Sequence, residues 1–103
     1  MTIVFEKQYL SELYEEGKCS DKHHRFQPQI VKKYQKRIDT LIAADRIEDL
    51  FVLNSLNFEA LEGKSKFSIR IDYHYRLEFE VKITETEPII SVCHLLDITN
   101  HYS

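Results

Sequence analysis

The 103-residue chain has little glycine, proline, cysteine or methionine and no tryptophan: two Gly, two Pro, two Cys and one Met. So few Gly and Pro residues exclude a flexible linker or a low-complexity tract, and two isolated glycines do not form a phosphate-binding glycine loop. Two cysteines, Cys19 and Cys93, are too few for the disulfide framework of a small secreted protein. No apolar run approaches the ~18 to 20 residues that span a bilayer.

A signal-peptide pattern is also lacking, because the residues after Met1 form no apolar core segment. We therefore expect a cytoplasmic protein with reduced thiols. The length predicts a single domain spanning residues 1–103, and 43% hydrophobic residues are enough for an ordinary globular core. A net charge of −3 argues against a general nucleic-acid coat protein.

The first half of the chain predicts one strand and two helices. β-Branched and aromatic residues from Thr2 to Glu6 favour a short strand. Apolar residues then recur at helical spacing until Gly17, which can end the first helix. Pro28 fits the first turn of a second helix, which runs to about Asp45. The apolar stripes consist of Leu10, Leu13 and Tyr14 in the first helix and Val31, Tyr34, Ile38, Leu41 and Ile42 in the second.

The second half of the chain alternates apolar and polar residues with a period of two, which predicts strands. Residues 67–72 and 76–83 form two half-buried strands, and residues 73–75 form the loop of an antiparallel hairpin. In this predicted register Ile69 lies opposite Phe79, Ile71 opposite Leu77, Arg70 opposite Glu78 and Asp72 opposite Arg76. A third strand, residues 89–96, is apolar on both faces and is expected inside the sheet. The order β-α-α-β-β-β predicts an α+β fold with two helices packed on one antiparallel sheet.

Charge is unevenly distributed along the chain. Residues 22–37 contain six basic residues and no acidic one, and residues 64–76 contain four basic residues and one acidic residue. The remainder holds four basic and sixteen acidic residues. Because screening weakens distant charges, these two stretches can bind a polyanion although the whole chain is acidic.

Two interpretations of these basic residues stay open. Lys32, Lys33 and Lys36 are either an RNA-binding group or the solvated face of an amphipathic helix. Arg70 and Arg76 are either forked phosphate ligands or members of cross-strand ion pairs with Glu78 and Asp72.

Several short segments carry a resemblance to a known family. They are Leu56-Asn-Phe-Glu-Ala-Leu-Glu-Gly63, Lys66-Phe-Ser-Ile-Arg-Ile71, Tyr75-Arg-Leu77, the ending Asn100-His-Tyr102 and the helix start Gln27-Pro-Gln-Ile-Val-Lys-Lys. Together with the order of elements, they resemble the HigB-like toxins of the RelE/ParE superfamily over nearly the whole chain.

The resemblance implies a toxin of a type II toxin–antitoxin system that cleaves translated mRNA on the ribosome. It implies a HigA-like helix-turn-helix antitoxin as partner, with operator DNA contacted only through that antitoxin and no contact with a membrane. It also implies that Arg76 binds phosphate and that His101 and Tyr102 form the terminal part of the site. Further phosphate-binding positions implied by the resemblance are Lys64, Lys66 and Arg70.

Metal-independent RNA cleavage needs a base for the 2′-hydroxyl, an acid for the 5′-oxygen and cations around the phosphate. His101 is the predicted acid or base, because imidazole titrates near neutrality. Glu59 is the predicted second proton carrier, and Tyr102 is predicted to stack on an exposed base. Cys19, His23 and His24 are too few for a convincing zinc site, so we predict no metal and no other cofactor. Cys93 is predicted to be an inert core thiol.

Two alternatives to a nuclease stay open at this point. A ParE-like inhibitor of DNA gyrase could use the same scaffold without proton-transfer residues. A non-catalytic module that binds an antitoxin and an operator is the other alternative.

Overall fold

The computed structural model describes residues 1–61 and 65–100. The elements run in the order β1 (Thr2–Phe5), α1 (Gln8–Glu16), α2 (Pro28–Ala43), β2 (Glu59–Ala60), β3 (Lys66–Arg70), β4 (Tyr75–Ile83) and β5 (Ser91–Asn100). Single 3₁₀ turns lie at Lys22–His24, Ile47–Leu50 and Asn54–Leu56. The five strands form one sheet in the order β1-β5-β4-β3-β2, with the two helices packed on it.

The apolar stripes of the helices face the apolar side of the sheet, as their periodicity predicts, except at Ile42, which is exposed near the end of α2. The fully buried side chains include Leu10, Leu13, Tyr34, Ile38 and Leu41 from the helices and Ile69, Leu77, Phe79 and Leu95 from the sheet. The predicted α+β fold with two helices on one sheet is confirmed.

The sheet is mixed, so the prediction that it is antiparallel throughout is wrong. β1 pairs with β5 in parallel, from Thr2 opposite Val92 to Phe5 opposite Leu95. A parallel pair needs a long connection, and here α1, α2 and three strands separate the two elements. The very short strand β2, which pairs antiparallel with β3, is a further element that the periodicity did not predict.

The predicted hairpin register is wrong by two residues. In the structure Ile69 lies opposite Leu77 and Arg70 lies opposite Arg76, so Arg70 does not face Glu78 and Arg76 does not face Asp72. Asp72 is instead part of the turn, where its Oδ1 accepts the backbone N–H groups of His74 and Tyr75 at 2.9 Å. A shift of two residues leaves every side chain on its original face, so alternation could not distinguish the two registers.

Candidate functional site

Arg76 is the second residue of β4 and lies almost entirely inside the molecule, with 8% of its surface exposed. Its Nε donates to Ser68 Oγ at 2.8 Å, and its Nη2 donates to the Ser68 carbonyl at 3.2 Å and to the Asn57 carbonyl. The expectation of an arginine on an open sheet face is therefore corrected. The guanidinium is held in one orientation by hydrogen bonds to three acceptor oxygens.

Asn57 supplies one of these acceptors because of its backbone conformation. It follows the 3₁₀ turn Asn54–Leu56 with φ 42° and ψ 56°, in the left-handed region that asparagine tolerates better than most residues. This turn directs the Asn57 carbonyl at Arg76. The amide orientation that satisfies its neighbours also places Asn57 Oδ1 3.1 Å from Arg70 Nη1. Asn57 thus contacts both arginines of the hairpin.

Among the residues that the structure describes, Glu59 is the one carboxylate within 4 Å of this guanidinium. It is the first residue of β2 and lies opposite Ser68, the residue that holds Arg76. Its Oε2 is 3.8 Å from Arg76 Nη2, and 54% of its side chain is exposed. A pair at this distance with one exposed member contributes little to stability. Because half of its side chain is exposed, Glu59 is accessible to a ligand.

The remaining guanidinium nitrogen, Arg76 Nη1, makes no hydrogen bond to any residue that the structure describes. The arrangement places an oriented guanidinium, of which a small part is exposed, beside an accessible carboxylate. Phosphate contact and proton transfer are the chemistry that this pair can perform.

Charges on the polar face of the sheet are more mixed than the sequence suggested. Lys66 is exposed on β3, and its register partner on β4 is Glu80. Glu78 lies opposite Ser68, beside Arg76. Two half-buried carboxylates therefore moderate the positive potential of this face.

The remaining predicted basic residues lie elsewhere. Lys32, Lys33 and Lys36 are exposed on α2. Lys33 and Lys36 line a cavity together with Arg70. This cavity therefore lies between the helix and the hairpin. Lys64, His101 and Tyr102 lie outside the described residues, so their roles stay predictions.

Three other ionisable side chains outside the candidate site are either buried or paired with a carboxylate. Burial raises the pKa of the Cys93 thiol to about 12, so this thiol is not a nucleophile at neutral pH. His94 Nδ1 lies 3.1 Å from Glu6, and His24 Nδ1 lies 2.9 Å from Asp21. In residues 1–61 and 65–100 no group of three or more His, Cys, Asp or Glu side chains is arranged to hold a metal ion.

Sequence reasoning assigned no role to Ser68 or Asn57, although both lie in the segments that carry the family resemblance. Ser68 is a small polar residue between two basic positions of a strand, and Asn57 follows an apolar residue at the end of a turn. Neither pattern identifies a guanidinium acceptor, because the contact depends on how β2 and the turn lie against β3.

Comparison with known proteins gives one family and one fold. The family model described as HigB-like toxin, a RelE-like toxin of the type II toxin–antitoxin system HigB, matches residues 3–91. Among solved structures, the chain is similar to the YoeB/ParE toxin from Agrobacterium tumefaciens, with a TM-score of 0.53 and 19% identity over 99% of this chain and 100% of that chain. At this identity the likeness shows the fold alone. The curated proteins gave no match.

Proposed function

The chain belongs to the HigB-like toxin family of type II toxin–antitoxin systems, and we propose that it is a metal-independent endoribonuclease that cleaves mRNA on the translating ribosome. As a type II toxin it has an antitoxin as its partner. We propose that this antitoxin is a HigA-like helix-turn-helix protein, that operator DNA is contacted only through it, and that the toxin acts in the cytoplasm.

The observation that carries the proposal is the pairing of Arg76 with Glu59. The guanidinium is oriented by Ser68 and Asn57, so it loses little side-chain freedom when it binds an anion. Preorganised donors of this kind stabilise charge that develops on a phosphate in the transition state. Glu59, 3.8 Å from Arg76, is close enough to exchange a proton with a group bound to the same phosphate.

The proposed reaction transfers a phosphoryl group within the RNA strand. Glu59 accepts the proton of a ribose 2′-hydroxyl while that oxygen forms a bond to the adjacent phosphorus. The bond from phosphorus to the 5′-oxygen breaks, and the imidazolium of His101 donates the proton that the 5′-oxygen needs. The products are a 2′,3′-cyclic phosphate and a free 5′-hydroxyl. Arg76 Nη1 contacts a non-bridging oxygen, with Lys64 and Lys66 near the phosphate and Tyr102 stacked on a base.

Inhibition of DNA gyrase is the second candidate function, and one observation favours it. Arg76 already uses Nε and Nη2 for internal hydrogen bonds, as an arginine with a structural role would. A toxin that acts by binding gyrase needs no base and no acid, so its Glu59 and His101 would be replaceable.

We expect Glu59→Gln to slow single-turnover mRNA cleavage on programmed ribosomes by about 10²- to 10⁴-fold, because the amide cannot accept the proton. Arg76→Lys, which retains the charge but loses the fork, should slow it by about 10²- to 10³-fold. His101→Gln, measured in the same assay, should match Glu59→Gln. Ribosome binding should change little in all three variants.

The exposed pair Arg46–Glu48 supplies matched controls, since these side chains lie 3.6 Å apart beside the groove at the opposite end of β4 from Arg76. Arg46→Lys and Glu48→Gln should cleave at the wild-type rate. Wild-type cleavage by Glu59→Gln would remove this carboxylate from the mechanism. If the unaltered chain cleaved no mRNA but caused gyrase-dependent DNA breaks in cells, gyrase inhibition would be the function.

A further inference from the structure

A second basic site lies between α2, the 3₁₀ turn Asn54–Leu56 and the hairpin of β3 and β4. It is a cavity of about 580 Å³. The cations that line it are Lys33, Lys36 and Arg37 from the helix and Arg70 from the strand. The two basic stretches of the sequence thus meet at this cavity.

The positive charge of the cavity has little internal compensation. Among the described residues that line it, Asp72 is the one carboxylate, and its Oδ1 already accepts two backbone N–H groups of the turn. Burial, together with the neighbouring charge of Arg70, lowers the pKa of Arg37. Four cations beside one carboxylate repel one another, and a bound anion would relieve that repulsion.

The two arginines of the cavity are held by hydrogen bonds. Arg37 Nε donates to the Arg70 carbonyl at 2.6 Å, which ties the helix to the end of β3. Asn57 contacts Arg70 through its side chain and Arg76 through its carbonyl. The cavity is therefore the immediate neighbour of the candidate active site, connected to it through one residue.

An exposed aromatic ring completes the set of groups. Tyr73, in the turn of the hairpin, lines the cavity and is 60% exposed. The Arg70 guanidinium carbon lies 6.0 Å from the centre of its ring. Flat aromatic rings beside fixed cations are the usual means by which proteins bind single-stranded nucleic acid, because the ring stacks on a base and the cations hold the phosphate.

We propose that this cavity binds one nucleotide of single-stranded RNA outside the cleaved bond, with its phosphate among Lys33, Lys36 and Arg37 and its base on Tyr73. The inference deepens the proposed function and rests on it for the choice of RNA as ligand. An RNA strand that leaves this cavity and continues past Asn57 reaches Arg76. The subsite therefore determines which phosphate of the RNA lies at the site of cleavage.

The test is fluorescence anisotropy of the full chain with a labelled, fully 2′-O-methylated hexaribonucleotide, which offers no free 2′-hydroxyl for cleavage. We expect Tyr73→Leu to weaken binding by about 5- to 150-fold and Tyr73→Phe to bind like the wild type, since stacking needs the ring and not the hydroxyl. Lys36→Gln should weaken binding and reduce the slope of log K against log salt by about 0.7. Lys82→Gln is the matched control, because it removes one charge near the far end of β4, where Lys82 pairs with Glu80.

Four results would overturn the subsite: no binding by the wild-type chain, unchanged affinity in Tyr73→Leu, equal effects of Lys36→Gln and Lys82→Gln, or displacement by inorganic phosphate as effective as by unlabelled RNA. Lys36-dependent binding of a glutamate-rich peptide by a wild-type chain that does not bind the oligonucleotide would assign the cavity to a protein partner alone. Ribosomal cleavage is measured separately. A wild-type chain that binds the oligonucleotide through Tyr73 but cleaves nothing would support the subsite and contradict the nuclease.

Discussion

Two buried tyrosine hydroxyl groups connect α2 to α1 and α1 to the sheet. Tyr34 of α2 donates to the Leu10 carbonyl at 2.6 Å, and Tyr9 of α1 donates to Asp97 of β5. Tyr9 Oη also accepts the backbone N–H of Ile98 at 2.8 Å. Burial, followed by the bond to Asp97, raises the pKa of Tyr9 above its ordinary value. The hydroxyl therefore stays protonated and serves as a structural donor.

We expect Tyr9→Phe to lower the free energy of unfolding by about 1 to 3 kcal/mol at pH 7, because it removes a buried hydroxyl that donates to a charged carboxylate and accepts a backbone N–H. Urea unfolding measures the change. Tyr14→Phe is the control, since Tyr14 donates to Asp39 at 2.6 Å on the surface, and this loss should stay within about 0.5 kcal/mol. Equal losses in the two variants would show that burial of the bond is irrelevant.

The pH dependence of this contact follows from Asp97. Burial opposes its ionisation, but hydrogen bonds from Tyr9 and Lys7 outweigh burial and hold its pKa below the usual range. A carboxyl with a depressed pKa stabilises the fold above its unfolded pKa of about 4 and loses that contribution as the pH falls through its folded pKa. The stability difference between wild type and Tyr9→Phe should therefore shrink between pH 5 and pH 2, as urea titrations at successive pH values would measure. A constant difference would contradict the linkage.

At the scale of elements, the helices were predictable and the hairpin register was not. The apolar spacing of α2 and Pro28 at its start predict a helix that ends at about Asp45, and the helix in the structure ends two residues earlier, at Ala43. A strand pattern of period two determines which face is buried, but registers that differ by two residues satisfy it equally. What decides between them is the Asp72 turn, whose hydrogen bonds are local and have no periodic signature.

Gly17 is an element boundary that the sequence did predict. It ends α1 with φ 76°, and its N–H bonds to the Leu13 carbonyl at 3.2 Å. A Cβ at this position would meet Gln35 Nε2 at an ordinary 3.8 Å, so the penalty for a side chain is conformational. We expect Gly17→Ala to lower stability by about 1 kcal/mol in urea unfolding, and Gly17→Asn to lower it less. A larger loss in Gly17→Asn would contradict the conformational explanation.

At the scale of the whole molecule, the structure brings separate basic stretches of the sequence together. Arg37 from one stretch contacts the Arg70 carbonyl from the other. The sequence offered both stretches as binding sites for an anion, with a solvated helix face and cross-strand ion pairs as the alternatives. The structure brings Arg76 and Glu59 side by side. It could not predict that Arg76 is buried against Ser68, because that contact is set by the packing of β2 and its preceding turn. The described helices include none long and apolar enough to cross a membrane.

The same charge distribution predicts how the antitoxin binds. An acidic segment of the antitoxin should cover part of the basic surface formed by α2 and the hairpin, because the rest of the chain carries sixteen acidic residues against four basic ones and would repel it. We expect the dissociation constant of the toxin–antitoxin complex to rise at least about tenfold between 50 mM and 500 mM salt, where the Debye length falls from about 14 Å to about 4 Å. Isothermal titration at both concentrations would measure it.

The structure also identifies the surface that would bind the antitoxin if this prediction fails. Four exposed isoleucines lie around an open groove beside the end of α2 and the connection from β4 to β5: Ile42, Ile83, Ile89 and Ile90. Burial of apolar area is insensitive to moderate salt, so an unchanged dissociation constant would favour this groove over the basic surface. Ile83→Asp would then weaken the complex and Lys36→Gln would not. If the basic surface is the binding site, Lys36→Gln weakens the complex and Ile83→Asp does not. RNA and antitoxin then compete for the same cations.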